Sequence, residues 1–156
     1  LRDASYDSVI CLEVLEHVPD PARALAEIAR VLADGGVLVL SVPHLSRLHE
    51  IPHDYYRYTE YGLRYLLESN DLEPQSFQLR GGLFSFLGHQ AATIVLGVAG
   101  NGRGMAALAR ALSRWLLTYP CYWLDQVGGQ ASLFPLGYVV IAQRQERLPV
   151  AGAANK

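Results

Sequence analysis

Cysteine is almost missing from these 156 residues: Cys11 and Cys121 stand 110 positions apart, with no CxxC or Cys/His spacing around either. That excludes a disulfide framework and a structural zinc motif. Charge is scarce too, at 18% of residues with a net of −2. Such a chain lacks the basic surface of an electrostatic nucleic-acid binder, so no nucleic acid is expected as a partner. Internal repeats and low-complexity tracts are absent, and a 51% hydrophobic composition is too apolar for a disordered chain. The sequence opens Leu1-Arg2-Asp3-Ala4-Ser5, with neither a starting Met nor a basic-then-apolar leader. The expectation is a fragment that starts partway through a gene product, located in the cytoplasm or at the inner face of the membrane.

What charge there is falls unevenly. Residues 1–80 carry seven basic and 13 acidic side chains, whereas residues 81–156 carry six and two. The back half is therefore apolar and mildly basic, a pattern that points to a surface-binding segment.

Tyr6 to Leu12 (YDSVICL) reads as a buried strand. Asp20 and Pro21 give a helix start, with Leu25, Ile28, Ala29 and Leu32 at helical spacing and a stop expected at Asp34-Gly35-Gly36. Val37 to Val42 (VLVLSV) suits a central parallel strand, which makes a right-handed βαβ unit. A loop dense in His, Tyr and acids runs from His44 to Tyr58. Thr59 then caps a helix bearing Leu63, Leu66 and Leu67. Gln75–Arg80 and Phe134–Arg144 read as strands, separated by an insert, 81–133, too long for bare loop.

These segments resemble the C-terminal part of the class I S-adenosylmethionine-dependent methyltransferases. The resemblance rests on YDSVICLEVLEHV (6–18), PDPARALAEIARVLADGGVLVLSVP (19–43) and PHDYYRYTEYGLRYLLESNDLEP (52–74), in that order. It implies an α/β fold, a partial Rossmann-like doubly wound sheet, with an apolar helical insert before the last strand. The implied division is a core at 1–80, an insert or cap at 81–133, a final strand at 134–146 and a tail at 147–156. The family's Gly-rich loop and the later acidic residue that hold the cofactor have no counterpart: Gly35-Gly36 reads as a helix stop and Asn101-Gly102-Arg103-Gly104 follows no strand. The chain alone is therefore expected to bind cofactor weakly, and its first strand to be an exposed edge.

The resemblance implies S-adenosyl-L-methionine as cofactor, with Cys11, Leu12, Glu13 and His17 beside it; strand core and a turn-holding histidine are the plainer readings of Cys11, Leu12 and His17. Ligands of doubly wound sheets sit beyond the carboxyl ends of the strands, which puts the 44–58 loop over the same rim. Methyl transfer to a hydroxyl needs an in-line acceptor and a base. His53 oriented by Asp54 is the expected base, with Tyr56 beside it, while Tyr55 and Arg57 are expected to hold the substrate. Asp54 and Arg57 pairing with each other to stiffen the loop is the alternative. No metal is expected, because His44, His49 and His53 share no ligand motif.

Residues 81–102 contain no Asp, Glu, Lys or Arg. In the following segment Arg103, Arg110 and Arg114 fall on one helical face, with Met105, Leu108, Leu112, Trp115 and Leu116 opposite. Two readings stand: a helix in a membrane interface, with residues 81–124 as the contact, or a cap packed on the sheet or forming a homodimer face. The expected function is methyl transfer to a small-molecule or lipid-linked acceptor, at a hydroxyl. The rivals are a non-catalytic membrane-surface or dimerisation module and another nucleotide-dependent α/β enzyme such as a dehydrogenase.

Overall fold

The computed structural model describes residues 1–99, 103–128 and 133–146; the expected tail at 147–156 lies outside them. One sheet holds four strands in the order β1 (Tyr6–Leu12), β2 (Leu32–Pro43), β4 (Gly137–Arg144) and β3 (Leu72–Arg80). β1 and β2 are parallel, with Leu12 opposite Ser41. β4 runs antiparallel to both of its neighbours, its Val140 facing Leu40 on one side and Phe77 on the other. β1, β2 and β3 therefore point the same way, and their carboxyl ends at Leu12, Pro43 and Arg80 lie along one edge of the sheet.

Two helices cover one face. α1 (Pro21–Val31) starts where Asp20 accepts the Arg23 amide at 3.0 Å, with Pro21 supplying a φ already suited to the first turn. α2 (Glu60–Glu68) starts where the Thr59 hydroxyl accepts the Gly62 amide at 3.1 Å. Their Leu25, Leu63 and Leu67 are fully buried against Leu38, Leu40 and Val140 of the sheet. The opposite face is only partly covered among the described residues: Val37 and Val39 are half-buried and Ile141 is exposed.

Three sequence expectations change. α1 stops at Val31 rather than at the glycine pair, because Leu32 is already extended and enters β2; Gly35, at φ +74°, takes the bend inside that strand. β1 is not the buried strand that its apolar run suggested but the exposed edge that the resemblance led one to expect: Ile10 is 71% and Leu12 51% exposed, while Val9 and Cys11 turn toward the core. β4 begins at Gly137, three residues later than Phe134, and a side chain there would drive a Cβ to 2.5 Å from the Val42 carbonyl oxygen.

The insert is helical: α3 (Leu83–Ala99), α4 (Arg103–Ser113), a π-helical turn (Arg114–Thr118) and α5 (Tyr119–Gly128). Asp125 on α5 accepts the amides of Gly82, Phe84 and Ser85 at 2.8–2.9 Å and so caps the start of α3 from outside it. Gly88 of α3 lets α5 approach closely, since a Cβ there would lie 2.8 Å from the Cys121 sulfur. Leu108, Leu112, Trp115 and Leu116, expected on one apolar stripe, are all exposed, and Trp115 and Leu116 fall in the π-helical turn. The side chains of Arg103 and Met105 lie outside the described ones.

Candidate functional site

The rim starts where β1 ends. Glu13 takes φ +52°, its amide donates to the Ser41 carbonyl at 3.0 Å, and its carboxylate accepts from the Ser41 hydroxyl at 2.8 Å and from Arg80. The tips of β1, β2 and β3 are thus joined through one carboxylate. A short 3-10 turn at Leu15–His17 follows and buries Leu15 and Glu16.

The 44–58 loop folds onto this turn. Tyr55 and Tyr56 donate their amides to the Glu16 carbonyl at 2.9 and 3.3 Å. The Tyr56 hydroxyl donates to the Pro19 carbonyl at 2.9 Å, and the buried Tyr58 hydroxyl donates to the Leu15 carbonyl at 3.0 Å. Burial first, and the nearby Glu16 charge next, push the Tyr58 phenol up, so it stays a donor. His17 Nδ1 donates to the His53 carbonyl at 2.7 Å, which clasps the two loops together.

The expected His53–Asp54 pairing does not form. Asp54 is forked onto Arg57, with Oδ1 to Nη1 at 2.5 Å and Oδ2 to Nη2 at 2.6 Å, and it also accepts the His49 amide at 2.8 Å. Those Arg57 hydrogen bonds, helped by the His49 amide, hold the Asp54 carboxyl well below the usual range against its desolvation. Arg57 spends its remaining donors on the Ser46, Arg47 and Tyr56 carbonyls, so its guanidinium is built into the loop rather than offered to a substrate. His53 instead lies exposed with Nδ1 3.1 Å from the Tyr55 hydroxyl.

The histidines separate in a way the spacing did not foretell. His44 leans on Tyr138, ring centroids 5.6 Å apart. His49 stands edge-on to His17 at 4.8 Å, and both rings face Glu16, with Nε2 atoms 3.8 and 3.7 Å from its Oε1. Sequence reasoning passed over Glu16; its signal was a carboxylate set among Val14, Leu15 and Val18. Burial raises its carboxyl, and the Glu13 charge adds to this against the opposing pull of its own backbone amide and of the two imidazoles. Burial likewise pushes the Cys11 thiol up, and the Glu16 charge adds to it, keeping Cys11 neutral.

Beyond the tip of β3 a cleft of about 570 Å³ opens between the sheet and the insert, lined by Arg80, His89, Tyr119, Tyr122 and Leu136 among others. Arg80 reaches Glu13 from one side and the cleft from the other, so cleft and rim are continuous. His89 Nε2 is buried there with no hydrogen-bond partner among the described residues.

The methyltransferase-domain family matches residues 1–40. The ubiquinone biosynthesis O-methyltransferase of Xanthomonas oryzae is 54% identical over 40 residues, which are 26% of this chain and 17% of that protein. A Galdieria sulphuraria protein described as a sarcosine dimethylglycine methyltransferase superposes with a TM-score of 0.57 at 15% identity, covering 93% of this chain and 55% of that one. A phosphoethanolamine N-methyltransferase from Haemonchus contortus, seen with S-adenosylhomocysteine, superposes with a TM-score of 0.52 at 12% identity, covering 94% and 35%. The fold is that of the class I S-adenosylmethionine-dependent methyltransferases. Within that methyltransferase fold, this chain spans about half the length of the Galdieria protein, and the curated match spans less than a fifth of its relative. The matched 1–40 segment includes β1, the Glu16–His17 turn, α1 and most of β2.

Proposed function

We propose that this chain supplies the acceptor side of an S-adenosylmethionine-dependent methyltransferase that methylates a hydroxyl of a small or lipid-linked molecule. In this reading residues 1–80 with 134–146 form the transferase core and 81–133 a cap. The observation that carries it is the meeting of the β1 and β2 tips, the His/Tyr loop and the cleft along one edge of the sheet.

The rim residues fit the cofactor in character. Leu12 is exposed at the strand tip and the Cys11 thiol is neutral, an apolar flank for an adenosyl group; Glu13 and His17 border it. When bound, S-adenosylmethionine supplies a sulfonium methyl open to displacement. In the tautomer that gives its Nδ1 proton to the Tyr55 oxygen, His53 keeps Nε2 free to take the acceptor's hydroxyl proton. Tyr56 holds the loop in place through Pro19, and Tyr55 positions His53. The test is calorimetric titration of the complete gene product with S-adenosylhomocysteine and, separately, with NAD. Binding of S-adenosylhomocysteine is expected; binding of NAD alone would overturn the reading.

The exposed insert favours a second element. Ile94, Val98, Leu108, Trp115, Trp123 and Val127 are each at least 60% exposed, and Arg110 and Arg114 of the same insert are exposed too, while no described helix is long and apolar enough to cross a membrane. An apolar and aromatic surface studded with arginine suits contact with an anionic membrane interface, where a lipid-linked acceptor would reside. Exchanging Arg110 and Arg114 for Glu is expected to release the protein from anionic vesicles; a parent protein that ignores such vesicles removes this element.

A further inference from the structure

Glu16 presents a problem of electrostatics. Its side chain is fully buried, and neither carboxylate oxygen has a hydrogen-bond partner among the described residues. A buried carboxylate left unpaired is strongly disfavoured, so such groups are normally ion-paired, hydrogen-bonded or bound to a metal. The two imidazoles come near without bonding it: Nε2 of His17 at 3.7 Å and of His49 at 3.8 Å stand outside hydrogen-bond range. The three ligand atoms lie within 4.8 Å of one another. With metal–ligand bonds of about 2.1 Å, tetrahedral donors sit roughly 3.4 Å apart, so closing on an ion asks an adjustment of at most about 1.4 Å.

The outer contacts point the same way. His17 gives its Nδ1 proton to the His53 carbonyl at 2.7 Å, which leaves the Nε2 lone pair aimed at Glu16. His49 Nδ1 has the Arg47 carbonyl as an acceptor at 3.3 Å, while Arg57 Nη2, at 3.4 Å, already gives its two protons to the Arg47 carbonyl and Asp54 Oδ2. An imidazole held at one nitrogen by a carbonyl or carboxylate is the usual outer support of a metal ligand.

We infer that Glu16, His17 and His49 bind a divalent transition-metal ion at the rim. Two imidazoles and one carboxylate select zinc, manganese, iron or cobalt over calcium, which takes all-oxygen cages. Three protein ligands leave coordination positions open to water or to an oxygen-bearing molecule. On the methyltransferase reading above, on which this last step rests, that molecule is the acceptor, its oxygens gripped by the ion. Glu16 and His17 are adjacent in sequence, but His49 comes 32 residues later from another loop, so no motif announced the set.

The test is titration of the chelator-treated complete gene product with Co²⁺, followed by visible absorption, with Zn²⁺ as competitor. One equivalent is expected to bind. Glu16→Gln and His49→Ala are each expected to weaken binding by about 100-fold or more, while His44→Ala leaves it within about twofold. His49 is on the partly exposed side, so its truncation tests the site independently of any folding defect at Glu16. Absence of Co²⁺ binding, or binding retained in both variants, overturns the site. S-adenosylhomocysteine titrated in the presence of chelator separates the two claims: it still binds if only the metal assignment fails, and metal still binds if only the transfer reading fails.

Discussion

The Asp54 carboxylate accepts two guanidinium bonds from Arg57 and one amide from His49, all inside a loop that carries three histidines and three tyrosines. Removing the guanidinium strands a carboxylate whose side chain is only 2% exposed. Arg57→Ala is therefore expected to destabilise the protein by about 1.5–3 kcal/mol in urea unfolding, and Arg57→Lys to recover only part, since an ammonium cannot make the fork. His53 is a different case: it is exposed, with its ring beside Tyr55. His53→Ala is expected to lower kcat by about 10²–10⁴ and to leave S-adenosylhomocysteine affinity unchanged; an unchanged kcat removes it as the base. At this scale the sequence showed the residue types but not their partners. Asp54 is adjacent to His53 in the chain, yet the Arg57 fork, two bonds to a full positive charge, outcompetes a single bond to an imidazole. Glu16 had only its apolar neighbours as a signal, and its meeting with His49 was unreadable because it comes from the docking of two loops.

Among the elements, those with local signals were legible. Asp20-Pro21 and Thr59 start helices as their cap chemistry requires, and the apolar run at 37–42 lies within β2. The glycine pair misled, because glycine serves a bend inside a strand as readily as a helix end. The insert was legible as helical but not in its packing, which turns on a cap from a distant residue. Burial alone would raise the Asp125 carboxyl, but hydrogen bonds from Ser85, Phe84 and Gly82 together outweigh it and hold the group below its ordinary value of 3.8. A depressed carboxyl adds stability above the unfolded value and loses it as pH falls through the folded one. The insert is therefore expected to loosen below about pH 4, read by Trp115 and Trp123 fluorescence, and Asp125→Ala to cost about 1 kcal/mol at neutral pH while flattening that acid dependence. An unchanged acid profile in Asp125→Ala would remove the cap from the account.

For the whole molecule, the parallel βαβ unit and the shared rim of its two strand tips were legible from the order of segments, whereas the β3 tip joins them through its antiparallel pairing with β4. Among the described residues nothing pairs with the outer side of β1, where Ile10 and Leu12 are exposed. Such an edge invites pairing with another chain. The 156-residue chain alone is expected to self-associate in sedimentation, and Ile10→Lys to suppress this; monomeric behaviour of the unaltered chain would contradict it. Everything functional depends on the rim being where the methyl donor sits. The direct measurement is a crystal structure of the complete gene product with S-adenosylhomocysteine. The account predicts the ligand against Cys11–Glu13 with the 44–58 loop over it; a ligand bound at the opposite end of the sheet, or the loop turned away from it, would contradict the account.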